Sequence, residues 1–152
     1  MTKKAEVKDQ VEEVQAVVSE QAAAKPEFTQ EELLEVFDTI MFEGFYEEEF
    51  DIRGKLKIKF RSKTAKDITS ISQELDSKTY NLISTLTEQR AFLSIVYGLV
   101  QYGSTELASM KLEDRRSFIE KLPSAIVAML SDSVNKFDRK VDKACEEGEA
   151  NF

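Results

Sequence analysis

The sequence contains no histidine and only one cysteine, Cys145, among its 152 residues. Without histidine the chain cannot form a Ser-His or Cys-His catalytic pair, and it lacks the side chain that most often transfers protons near neutral pH. One cysteine excludes an internal disulfide and an all-thiolate zinc site within one chain. These absences argue against the common hydrolytic and zinc enzymes, so we predict a non-enzymatic protein that acts by contacting other proteins.

The five glycines are scattered and form neither a P-loop nor a GxGxxG pattern, so no nucleotide site and no cofactor is expected. The net charge of -8 repels nucleic acid and anionic membranes. A run from Arg53 to Lys66 is basic and free of acids, but it offers no exposed aromatic side chain for base stacking. We therefore expect neither nucleic acid nor a small-molecule substrate as a partner.

No long apolar run is present that could cross a bilayer. The first residues, Met1 to Lys4, are followed by acidic sequence of mixed polarity and not by the apolar core of a signal peptide. We expect a cytoplasmic protein that does not enter a membrane.

Residues 1–27 are predicted to form an N-terminal arm, and residues 28–152 a single domain. The arm carries four valines at helical spacing: Val7, Val11, Val14 and Val18. This narrow stripe indicates a helix that docks on a partner, whereas the modest helix propensity of valine equally fits a solvated arm. Pro26 ends the segment because it disfavours the helical conformation of the residue before it.

A complete helix start follows the arm. Thr29 is placed to cap the helix, Glu32 to complete a capping box, and Phe28 and Leu33 to form a hydrophobic staple. The helix should begin at Gln30 and close at Gly44. Its predicted buried stripe is Leu33, Phe37, Ile40 and Met41.

Residues 45–61 change to a period of two, which predicts a β-hairpin. A three-residue loop of Arg53, Gly54 and Lys55 pairs Ile52 with Leu56 and keeps the apolar side chains on one face. The acids of the first strand then oppose the bases of the second: Glu47 with Arg61, Glu49 with Lys59, and Asp51 with Lys57. We interpret these carboxylates as a structural charge ladder and not as a metal site, and we expect no other regular strand.

The remainder reads as helical, which gives an α+β fold that is mostly helical: one hairpin on a bundle of about five helices. The helix from about Lys78 is apolar nearly all round in its second half, so Ile95, Val96 and Leu99 are predicted to be core. Pro123 can start the last helix. The stripe of that helix is Ile126, Leu130, Val134, Phe137, Val141 and Cys145, which makes Cys145 a small core residue.

The acidic strand, the glycine turn, the basic strand Lys55 to Arg61 and the helical remainder together resemble the tail assembly chaperones and baseplate-hub proteins of long-tailed bacteriophages. The stretch Leu122 to Val127 and the ending Glu147 to Phe152 add to the likeness, which covers residues 45–152. In such proteins a hairpin with a polar loop precedes a helical bundle.

The resemblance implies a phage tail or baseplate assembly or structural protein, present in the host cytoplasm and in the virion if it stays there. Its partners would be other protein subunits of a larger assembly. The candidate contacts are the four arm valines together with Arg53 and Lys55 of the polar loop. The alternative hypothesis is a small acidic cytosolic adaptor or regulator whose arm binds a partner helix.

Overall fold

The computed structural model describes residues 26–77 and 83–151. Within these ranges the chain forms, in order, α1 (Gln30–Glu43), β1 (Glu47–Ile52), β2 (Leu56–Arg61), α2 (Ala65–Asp76), α3 (Ile83–Gly98), β3 (Leu99–Tyr102), β4 (Thr105–Glu106), α4 (Leu112–Glu120) and α5 (Ser124–Ala150). The fold class is α+β and mostly helical, as the sequence predicts. None of the helices in these ranges is long and apolar enough to cross a membrane.

Helix α1 starts and ends where its capping residues predict. The hydroxyl of Thr29 accepts a hydrogen bond from the Glu32 backbone N–H at 3.2 Å, and Gly44 closes the helix at a φ of 89°. The second hydrogen bond of the predicted capping box, from the Thr29 backbone N–H to the Glu32 carboxylate, was predicted wrongly, because that carboxylate is paired with Lys140. The predicted burial of Met41 is also wrong, since Val36 is buried instead and Met41 is 55% exposed.

The β1–β2 hairpin has the predicted three-residue loop and the predicted register. Ile52 pairs with Leu56, and Glu47 pairs with Arg61. The acid–base ladder is only partly formed at the level of side chains. Arg61 binds Glu47, but Glu49 reaches diagonally to Lys57, and the Asp51 carboxylate accepts the Gly54 backbone N–H at 2.8 Å.

The prediction that the hairpin holds the only strands is wrong. A four-stranded antiparallel sheet is present, with the strand order β1-β2-β3-β4. The helix that was predicted from about Lys78 to include Leu99 ends at Gly98, and Leu99 begins a strand that pairs with Phe60. Leu99 and Val100 are both buried, so this strand has no polar alternation that would distinguish it from a buried helix.

The core lies between one face of the sheet and helices α3 to α5. Ile95, Val96 and Leu99 are fully buried there, as predicted, beside Ile58 and Phe60 of the hairpin. The buried line of α5 is Leu130, Val134, Phe137, Lys140, Ala144 and Gly148, so Ile126, Val141 and Cys145 of the predicted stripe lie at its half-buried edges.

The hairpin turn offers a test of backbone conformation. Gly54 has a φ of 67°, and a Cβ added to it would meet no atom within 4 Å. Gly54→Val is therefore expected to destabilise the protein by about 1–2 kcal/mol through backbone strain alone. Urea unfolding followed by circular dichroism measures this. An unchanged midpoint would show that the turn relaxes into another conformation.

Candidate interaction surface

The inner face of α1 packs against the C-terminal half of α5. Leu33 and Val36 are buried beside Ala144. The ring of Phe37 lies directly over Gly148, where a Cβ atom would approach the ring atoms to within 2.2–2.4 Å. Glycine inside α5 thus lets the two helices approach closely, and it fixes the position of α1 on the domain.

A buried lysine joins α1, β1 and α5. The Lys140 ammonium lies 2.6 Å from a carboxylate oxygen of Glu32 and 2.8 Å from one of Glu48. It also lies 5.8 Å from the ring centroids of Phe28 and Tyr46. Glu48 lies on the opposite face of the sheet from Glu47 and Glu49, as strand alternation predicts. Its partner Lys140 is 92 residues away in the chain and could not be predicted from the sequence.

The pKa values of this cluster show that the charges are mutually stabilised. Burial alone would lower the pKa of Lys140, but hydrogen bonds to Glu32 and Glu48 more than offset this and raise it above its ordinary value. The hydrogen bond from Lys140 lowers the pKa of Glu32, although partial burial opposes the shift. Lys140 and Glu32 are therefore both charged at neutral pH, and the cluster of Lys140, Glu32 and Glu48 has the properties of a structural clamp.

Three large apolar side chains are exposed at and just after the C-terminal end of α1, and we call them the apolar tip: Met41, Phe42 and Phe45. Phe42 is 87% exposed. The Arg61 guanidinium lies 4.6 Å from the centroid of the Phe45 ring, which holds that side chain beside the start of β1. A phenylalanine this exposed, next to two further apolar side chains, is unusual on a solvated protein surface, so the apolar tip is a candidate interaction site.

The apolar tip continues into the outer face of α1, which consists of Glu31, Leu34, Glu35, Asp38 and Phe42. Helix α1 contains no basic residue, so this face is acidic. A shallow, open depression runs along it, and every described residue that lines the depression belongs to α1. The outer face is thus an acidic, partly apolar helix surface.

Two of the partner-binding residues predicted from the sequence, Arg53 and Lys55, lie away from the apolar tip. Arg53 and Lys55 are exposed in the β1–β2 turn, where Arg53 has a φ of 56°. The turn is separated from Phe45 by the length of β1, about 20 Å for six residues. The four arm valines lie outside the described residues. The structure therefore does not bring Arg53 and Lys55 together with the apolar tip.

The apolar tip was not predicted from the sequence, because Met41 was assigned to the buried stripe and Phe42 had no predicted role. A signal was present. Leu33, Val36, Phe37 and Ile40 already fill the helix face that packs on α5, so Phe42 falls on the opposite side. Helix α1 has more apolar residues than one packed face can bury, and the surplus residue Phe42 could have been recognised as exposed from this count.

A second partly buried ion pair in the described ranges joins Lys63 to Asp138. The Lys63 ammonium donates to the Asp138 carboxylate at 2.8 and 3.0 Å, and burial raises the pKa of Asp138 despite this partner. Burial likewise raises the pKa of the Cys145 thiol, which disfavours the reactive thiolate. Residues 26–77 and 83–151 contain no cluster of acids or cysteine that could hold a metal ion.

Comparison with known proteins gives no assignment. No protein-family model matches the chain, and no curated protein and no solved structure matches it.

Proposed function

We propose that this protein is a non-enzymatic assembly or structural protein of a phage tail or baseplate, which acts by binding other protein subunits. The observation that carries the binding role is the apolar tip. Two of its three side chains, Met41 and Phe42, are mounted on a helix whose position is fixed by the Lys140 cluster and by the contact between Phe37 and Gly148. Rigid support for an exposed aromatic side chain favours binding, because little side-chain and backbone freedom is then lost on association.

The partner surface can be described by its chemistry. An aromatic side chain at the centre of a contact contributes most when it enters an apolar pocket and the surrounding contacts exclude water. The acids around the tip, Glu35, Asp38 and Glu43, favour a rim of lysine or arginine on the partner. We therefore expect a neighbouring tail subunit with an apolar pocket that is bordered by basic residues.

The phage assignment depends on the resemblance of residues 45–152 and not on the apolar tip. With that resemblance, the place of action is the host cytoplasm during assembly, and the virion if the protein is retained. An acidic adaptor of cellular origin would use the same surface on a different partner. The genes next to the one for this protein distinguish the two hypotheses, because tail and baseplate genes are expected there only if the protein belongs to a phage.

The test is capture of co-expressed tail and baseplate subunits by the tagged full-length protein. Phe42→Asp should lower the affinity of the captured complex at least about tenfold, because a charge replaces the central aromatic side chain. Ile68→Asp is the matched control, since Ile68 is 52% exposed on α2, outside the tip. Equal binding by the two variants would show that the tip is not the binding site.

A further inference from the structure

The outer face of α1 and the apolar tip have no cover among the described residues. We propose that residues 4–23 of the N-terminal arm dock as a helix, antiparallel to α1, on this face and cover the apolar tip while no partner is bound. This inference concerns the free protein, so it goes beyond the proposed function and does not depend on the identity of the partner.

The arm begins at the correct place and has sufficient length. Phe28 is buried against Leu33 and Ala144, so the chain leaves the domain beside the first turn of α1. Pro26 breaks any helix there, which allows the chain to reverse direction. Twenty residues in a helix extend about 30 Å, whereas the 14 residues of α1 extend about 21 Å. An arm helix that folds back from Pro26 can therefore reach Phe45.

The spacing of the apolar residues matches in the antiparallel direction. Val18 and Leu34 are each eight residues from Pro26, and Val14 and Asp38 are each twelve. The same reflection sets Val11 beside Met41. The valines Val18, Val14 and Val11 and the α1 residues Leu34, Asp38 and Met41 repeat with the same steps of four and three. This is the spacing of two helices that pack through a coiled-coil seam. In the same register Val7 falls opposite Phe45, which follows Gly44 just outside α1.

The charges are complementary at the far end of the arm. Lys3, Lys4 and Lys8 are the only basic residues of the chain before Lys25. The antiparallel register places Lys8 opposite Gly44, beside Glu43 at the C-terminal end of α1, whereas Lys3 and Lys4 fall beyond the end of that helix in the same register. Cations are favoured there both by that carboxylate and by the negative end of the helix dipole.

Two cysteine pairs test the contact in the full-length protein, in a Cys145→Ala background that leaves no native thiol. One variant carries Val14→Cys and Asp38→Cys, and the other carries Val18→Cys and Leu34→Cys. The matched control joins Val14→Cys to Ser72→Cys, an exposed position on α2 to which the register brings no arm residue. Under mild oxidation at low protein concentration, both test pairs should form an intramolecular disulfide in about tenfold higher yield than the control.

The outcomes separate the possible occupants. Disulfide-linked monomers from both test pairs support docking in the same chain. Disulfide-linked dimers would show that the arm covers α1 of a second copy, and yields equal to the control would show that the arm does not occupy this face. Either result overturns the inference.

The disulfide experiment and the capture experiment can fail independently, which distinguishes this inference from the proposed function. If the disulfides form but Phe42→Asp leaves partner capture unchanged, the docking of the arm stands and the binding role of the apolar tip fails. If they do not form and Phe42→Asp abolishes capture, the opposite holds.

Discussion

Lys140→Met is expected to destabilise the protein by about 2–4 kcal/mol. The substitution keeps most of the side-chain length but leaves the Glu32 and Glu48 carboxylates side by side without their cation. Removing one partner of a fully buried ion pair costs about 3–5 kcal/mol, because an uncompensated charge remains. We expect somewhat less here, since the Glu32 side chain is 43% exposed and the Glu48 side chain is 27% exposed.

Urea unfolding followed by circular dichroism measures this effect. Lys66→Met is the matched control. Lys66 is exposed on α2, outside the cluster, and its replacement should change stability by less than about 0.5 kcal/mol. Adding Glu32→Gln and Glu48→Gln to Lys140→Met should restore much of the loss, because the stranded charges are removed. A triple variant as unstable as Lys140→Met would show that lost packing, and not charge, causes the effect.

The cluster also predicts a pH dependence. The pKa of Glu32 is lower in the folded protein than its ordinary value of 4.5, so this group contributes stability above that pH. The contribution is lost as the pH falls through the folded pKa. In Lys140→Met the pKa of Glu32 is no longer lowered by its main cause, the hydrogen bond from Lys140. The stability difference between the native protein and the variant should therefore shrink between about pH 5 and pH 3, and a constant difference would contradict the ionic origin.

Two structural features could be predicted from local sequence patterns, because they are determined by residues close to one another in the chain. The start of α1 follows from Thr29, and the hairpin register follows from the alternation of acids and bases around Gly54. Both features are encoded within a few residues and are little affected by the rest of the fold.

Features that depend on distant residues could not be predicted in this way. Leu99 to Tyr102 form a strand because β2 offers an unpaired edge, and nothing within the segment separates a fully buried strand from a buried helix. From the sequence alone Lys140 would be taken for a solvated lysine, because its partners Glu32 and Glu48 lie in two other elements that only the fold brings close to it. The apolar tip was missed for a related reason, since the exposure of Phe42 is decided by which face of α1 meets α5.

Gly148→Ala is expected to destabilise the protein by about 1–3 kcal/mol, although alanine is the better helix former. In an exposed helix interior this change would add about 1 kcal/mol of stability. Here the new Cβ would lie 2.2–2.4 Å from the Cγ and Cδ atoms of Phe37, so the whole ring must move away from α5. Overpacking of this kind costs about 1–3 kcal/mol and occasionally more, which exceeds the gain in propensity.

A double-mutant cycle with Phe37→Ala isolates that contact. Phe37→Ala alone should be destabilising because a half-buried ring is lost. Gly148→Ala added to it should then be neutral or stabilising, because the clash is gone and the helix propensity remains. Asn135→Ala, at an exposed position of the same helix, measures the propensity gain without any contact to α1. If Gly148→Ala stabilises the protein with Phe37 present, then α1 can move away from α5, and the rigid support of the apolar tip would have to be abandoned.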